Sequence, residues 1–239
     1  MVVEILFQEI CGLYGDSQNA TYLQATLPDA EFIFTRLCDT PYFVDNKPDL
    51  IYIGCMSEAT QRRVIEKLIP YKNRIIELID AGTPILATGN AGEIFAKEIN
   101  YITENITTTG LGIFDLTVKT DLFKRFNGMV LGEFENIEIV GFRSQFSFLY
   151  GDNAHNYFIK CLRGVGINKD SKLEGMRKNN LICTQLIGPI LPLNPLFCEY
   201  FIGLADVQAT AAYRETAMDA YTQRLKEFHD PKVSFDVHA

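Results

Sequence analysis

Apolar residues recur along this chain with two periods, and the change from one to the other divides it. In the first half, short apolar runs alternate with stretches of helical spacing. Val2–Ile10 reads as a strand with Ile5 and Phe7 turned inward, and Glu31–Arg36 reads as a second. Asp49–Gly54 is a third, apolar throughout and so expected at the centre of a sheet. Tyr22, Leu23 and Leu27 mark a short helix, capped at Ser17 or Asn19 and stopped by Pro28. Val64, Ile65, Leu68, Ile69, Ile75, Ile76 and Ile79 follow a helical period over Glu58–Ala81, which Pro70 should break. Gly82 and Pro84 end that stretch. Ile85–Ala87 is a buried strand, Thr88–Gly92 a sharp glycine-bearing turn, and Glu93–Ile99 reads as the helix that follows.

After Asn100 the helical period fades. Gly112–Thr120, Met129–Phe134, Asn136–Phe142, Phe146–Tyr150, Ile159–Leu162 and Leu181–Leu186 are all strand-like. Pro195, behind an Asn194 cap, opens a helix to about Leu204, and Val207–Phe228 reads as the last helix before a mobile tail over 230–239. The pattern predicts an α/β fold: a central, mostly parallel sheet flanked by helices, with additional strands in the second half. With no linker or repeat in sight, one domain over residues 1–239 is expected.

Composition narrows the partners. A net charge of −8 argues against a nucleic-acid surface, which needs clustered Lys and Arg. No apolar run is long enough to span a membrane, and Glu4 and Glu9 interrupt the first segment, so it is not a signal peptide. Cys11, Cys38, Cys55, Cys161, Cys183 and Cys198 form no metal-ligand spacing and mostly sit in apolar segments. They read as reduced thiols of a cytoplasmic protein, with no metal and no cofactor implied.

The candidate chemistry sits at the turn after Ile85–Ala87. A strand, a tight turn and a helix start form the elbow that presents a nucleophile at the top of an α/β sheet, but its apex here is Gly89. What the turn retains is backbone: the N–H groups of Gly89 and Asn90 could hold a small anion. Cys55, at the end of the preceding strand, is the weak candidate for a displaced nucleophile, although the pattern places no His beside it. Thr88 should point away from the apex, Cys183 should be core, and His155 lies in a polar loop while His229 and His238 lie near the end of the chain. Arg143 and Arg163 are read as surface arginines that could pair with a charged ligand.

Several pieces line up in order: Tyr14-Gly15-Asp16-Ser17-Gln18-Asn19, Asp49-Leu50-Ile51-Tyr52-Ile53-Gly54, the elbow, Gly110-Leu111-Gly112-Ile113-Phe114-Asp115, and Gly188-Pro189-Ile190-Leu191-Pro192-Leu193-Asn194-Pro195. Together they resemble the class I glutamine amidotransferase domains of the cobyric acid synthase type, and among these the glutaminase subunits of lipid II isoglutaminyl synthases. The resemblance covers nearly the whole chain. It implies glutamine hydrolysis by an elbow Cys and a His base, with ammonia passed to a synthetase partner of Mur-ligase-like kind. It places the family's nucleophile at Gly89 and its base at Ile187, neither of which can do that work. Its oxyanion strand end falls on Gly54 and Cys55, and its glutamine-pocket segment on Gly141–Phe146. The expectation is a non-catalytic subunit or regulator on this scaffold, holding a partner or a small anion through Gly54, Cys55, Gly89 and Asn90. The alternative is an active enzyme with its nucleophile moved to Cys55, amidating a cell-wall or cobalamin-type precursor.

Overall fold

The structure, a computed structural model, describes residues 1–235; residues 236–239, His238 among them, lie outside the described residues. The first half of the chain builds one sheet from β1 (Val2–Leu6), β2 (Glu31–Thr35), β3 (Leu50–Ile53) and β4 (Ile85–Thr88). The connections carry α1 (Gln18–Thr26), α2 (Tyr42–Asp45), α3 (Glu58–Leu68) and α4 (Lys72–Asp80). The break expected at Pro70 is a short 3₁₀ turn, Ile69–Tyr71, between α3 and α4. Ser57 caps α3, its hydroxyl accepting from the Thr60 amide at 3.2 Å.

Beyond the elbow come β5 (Ala96–Tyr101), β6 (Ile106–Thr109), β7 (Phe114–Thr120), β8 (Phe126–Phe134), β9 (Ile137–Gln145), β10 (Ser147–Tyr150), β11 (Ile159–Arg163), β12 (Leu173–Glu174), β13 (Met176–Lys178) and β14 (Leu181–Thr184). The chain closes with α5 (Ile190–Leu193), α6 (Pro195–Gly203) and α7 (Arg214–His229). The central six-stranded sheet has the order β13-β14-β4-β3-β1-β2 and is parallel except where β13 meets β14. Two separate four-stranded sheets, β10-β7-β5-β6 and β12-β11-β8-β9, pack against its faces. Every residue of β3, β4 and β14 is buried, as strands covered on both faces require. One apolar cluster joins one face of this sheet to α3, α4 and the β5–β7 sheet, and a second joins the other face to α1, α5, α6 and the β8–β11 sheet.

Three readings of the sequence are corrected. The segment after the elbow is not a helix: Gly89–Phe95 is a 3₁₀ turn, and Ala96–Tyr101 is a strand. The carbonyls a helix would have used are taken from outside, for the amides of Leu111, Ile113 and Gly112 donate to Ile94, Phe95 and Ala96 at 2.8–2.9 Å. The approach is so close that any side chain at Gly110 would collide with the Ala96 carbonyl. The last helix begins at Arg214 rather than Val207, after Tyr213 in a left-handed conformation (φ +52°). Residues 231–235 of the expected tail are docked. Arg163 donates to the carbonyls of Phe228, Asp230 and Val233 at 2.6–2.8 Å and stacks on Phe235, which is buried against Phe228.

Candidate functional site

A buried carboxylate holds the elbow in place. Asp16, 0% exposed in the turn before α1, accepts from the Cys55 amide at 2.7 Å and from the Thr88 hydroxyl through one oxygen. Its other oxygen accepts from the Asn19 side chain at 2.9 Å. Asn19 also donates to the Tyr52 hydroxyl, which donates to the Asp16 carbonyl at 2.9 Å. One residue thus ties the ends of β3 and β4 to the start of α1. Burial pushes the Asp16 carboxyl up to about 6, against the pull of those hydrogen bonds. The far end of the chain is bound in as well. Asn19 accepts from the Leu191 amide at 2.9 Å, and Asn194 bonds both the N–H and the C=O of Val140 at 2.9 Å.

Gly89 stands at the apex with φ +58°, a left-handed conformation that glycine adopts freely. A Cβ there would lie 2.7 Å from both Cβ and Sγ of Cys55 and 3.0 Å from Cγ2 of Ile187. Cys55 and Ile187 therefore fill the space beside the apex. Asn90 pins the turn to the end of β3: its side chain donates to the Met56 carbonyl at 2.8 Å and accepts from the Met56 amide at 3.0 Å. The Asn90 carbonyl accepts from Gln61 at 2.6 Å. Ile187 is held by its amide, which donates to the Phe142 carbonyl at 2.9 Å.

A cavity of about 250 Å³ opens beside the apex, with Cys55, Gly89, Asn90 and Ile187 on its wall. Gly54 faces away from it, packed against Cys11, Tyr52 and Asp16. Among the described residues, the lining holds Glu58 and Glu93 but no Lys, Arg or His. Glu93, 2% exposed, accepts from Ser147 and from Gln185 at 3.2 Å on one oxygen and from Gln61 at 2.9 Å on the other. Burial pushes its carboxyl up to about 7. An interior of this polarity opposes an anion, so the anion-holding role expected of the elbow finds no charge to support it.

The Cys55 thiol is 4% exposed and contacts the Asn90 side-chain oxygen at 3.5 Å. Burial, and then the neighbouring Asp16, pushes it up to about 12. A thiol in that state is almost wholly protonated at neutral pH and needs a base to attack anything.

No family model matches the chain. It is 31% identical to the Staphylococcus aureus (strain N315) lipid II isoglutaminyl synthase (glutamine-hydrolyzing) subunit GatD, over 80% of this chain and 78% of that protein. The chain belongs to the glutamine amidotransferase family. Solved structures share the fold. A glutamine amidotransferase crystal structure aligns with a TM-score of 0.58 at 14% identity, over 87% of this chain and 100% of its own. The PurLQS structure from Thermotoga maritima aligns with a TM-score of 0.54 at 12% identity, over 94% of this chain and 98% of its own.

On this glutamine amidotransferase fold, the remaining candidates fall outside the apex. Thr88 is spent on Asp16 and Tyr52. Cys183 is wholly buried, with its thiol driven far up by burial. His155 lines a separate open cleft with Glu133 and Arg177, and His229 meets Glu138 at 2.7 Å. Arg143 is not a surface residue. It is 0% exposed and donates to Gln145 and Val165 at 2.8 and 2.9 Å, and also to Gly166 and Gln185. Through Gln185 it reaches Glu93, so within the expected pocket segment Arg143 supports the cavity wall from behind while Ser144, Gln145 and Phe146 line the cavity. Sequence reading missed Asp16 and Glu93 as the groups that organise the site. The visible signal for Glu93 was a lone carboxylate among the small and apolar residues of the elbow.

Proposed function

We propose that this chain is a non-catalytic glutamine amidotransferase-like subunit that works beside a synthetase of Mur-ligase-like kind. The observation that carries the reading is the apex. Gly89 offers no side chain, and Cys55 and Ile187 occupy the space where one would project. Loss of both nucleophile and base from a hydrolase costs on the order of 10⁶ in rate. What supports a partner is the relative, which is itself a subunit of lipid II isoglutaminyl synthase. Co-expression of the full chain with such a synthetase should give a complex on size exclusion; a chain that elutes alone at micromolar concentration counts against the partnership.

One observation favours a second reading, in which Cys55 is the nucleophile of an active amidotransferase: its sulfur lies 2.7 Å from where a side chain on residue 89 would start. Against it stand the thiol's high pKa and a cavity wall without histidine. Intact mass after treatment with a diazo-ketone glutamine analogue separates the two. The wild type is expected to stay unlabelled, and the variant Gly89→Cys, Ile187→His, Cys55→Gly to take one adduct at residue 89. A wild-type adduct mapped to Cys55 would overturn the non-catalytic reading.

A further inference from the structure

The mouth of the elbow cavity is spanned by one exposed side chain. Leu13 and Tyr14, in the turn Leu13–Gly15 after β1, form one lip, and Ser144 and Phe146, at the corner between β9 and β10, form the other. Arg125, just before β8, is not part of the lining but touches both lips. Its guanidinium donates to the Tyr14 hydroxyl at 2.8 Å and to the Ser144 hydroxyl at 3.1 Å. It also lies 5.7 Å from the Tyr14 ring centre and 5.4 Å from that of Phe146, within reach of a cation–π interaction on each side. Tyr14 itself sits at φ +57°, which L-residues disfavour. On its inner side the turn is tethered by the Leu13 amide, which donates to the Cys55 carbonyl at 3.1 Å.

We propose that Arg125 is a latch across the mouth of the cavity, and that its release sets how fast small molecules reach Cys55 and the elbow. All its hydrogen-bond partners here are neutral hydroxyls, which exchange readily with water, so the latch is reversible. The proposal does not depend on whether the elbow is catalytic, because it concerns access alone.

Cys55 is a built-in reporter. In a Cys38→Ser background, which removes the one exposed cysteine among the described residues, iodoacetamide is applied to the folded full chain. Adduct formation at Cys55 is followed by intact and peptide mass. Arg125→Ala removes both hydrogen bonds and both cation–π interactions, and is expected to raise the labelling rate about tenfold. Ser144→Ala and Tyr14→Phe, each removing one tie, should raise it about twofold to threefold. Arg125→Lys keeps the charge but loses the planar fork and should fall between wild type and alanine. Labelling at the fully buried Cys183 should not change, which marks the opening as local. Equal Cys55 rates in wild type and Arg125→Ala would overturn the latch, and so would a parallel rise at Cys183, which would mean general unfolding.

Discussion

At the scale of one residue, the apex of the elbow is a glycine with two neighbouring side chains packed into the room a Cβ would need. A Cβ at residue 89 meets Cys55 Cβ and Sγ at 2.7 Å, closer than real Cβ contacts run, and Ile187 at 3.0 Å. The backbone φ of +58° adds strain for any residue other than glycine. Gly89→Cys alone is therefore expected to lose about 1–3 kcal/mol in urea denaturation. Cys55→Gly should recover most of that loss, because both clashing atoms leave. Cys55→Ala should recover less, because the Cβ stays. A double-mutant cycle on residues 55 and 89 reads the coupling; additive effects would mean that the two side chains do not compete for the same space.

On the scale of elements, the elbow is held by a ring of buried hydrogen bonds rather than by its own turn alone. The turn before α1, the end of β3 and the end of β4 are joined through Asp16, with Asn19 and Tyr52 closing the ring of bonds. Asp16→Ala leaves the buried Cys55 amide and Thr88 hydroxyl without their shared acceptor and should cost about 3 kcal/mol. Asp16→Asn keeps one acceptor oxygen and should cost less. Hydrogen exchange at Cys55 and across α1 should accelerate in the alanine variant while β9 stays protected; uniform acceleration would show that the ring is not a local brace. This brace also marks what the sequence could and could not convey. The strands β3 and β4 were legible because apolar residues on both faces permit nothing but a central position. The Tyr14–Asn19 motif was legible as a motif, but not as a brace, since its partners lie 33 and more residues away. The helix expected after Gly92 failed for the same reason: its period was right locally, and the competing amides came from Leu111–Ile113. Among site residues, Cys55, Gly89, Asn90 and Ile187 were legible because the elbow pattern and the family resemblance carry them. Arg143 was misread because an arginine's burial depends on carbonyls from the loop after β11, Val165 and Gly166, that no local pattern foretells.

At the scale of the whole molecule, four buried carboxyls, Glu4, Asp16, Glu93 and Glu174, are all raised by burial and give the fold a pH dependence with a definite sign. Burial raises Glu93 from 4.5 to about 7 and Asp16 from 3.8 to about 6. In the unfolded chain both ionise near their ordinary values. Between about pH 4 and pH 7 the folded state thus holds protons that the unfolded state has released, and stability must fall as pH rises through that window. The contribution is full below the unfolded values and gone above about 7. For Glu93 alone it amounts to on the order of 3 kcal/mol across the window. Urea midpoints measured from pH 5 to pH 8 should decline for the wild type, provided the exposed ionisable groups are matched by salt. In Glu93→Gln the decline should be shallower, because the amide cannot ionise while its oxygen still accepts from Ser147 and Gln185, and Asp16 with the other buried carboxyls carries what remains. If wild type and Glu93→Gln run parallel over the whole range, the Glu93 carboxyl titrates alike in both states, and the cavity floor is wetter than its burial implies. If the wild type loses ground to Glu93→Gln as pH rises from 5 to 7, and the gap then levels off, the acidic floor carries a proton under mildly acid conditions. The same titration then turns Glu93 from neutral to anionic near pH 7, and a fixed negative charge there disfavours an anion in the cavity and favours a cation.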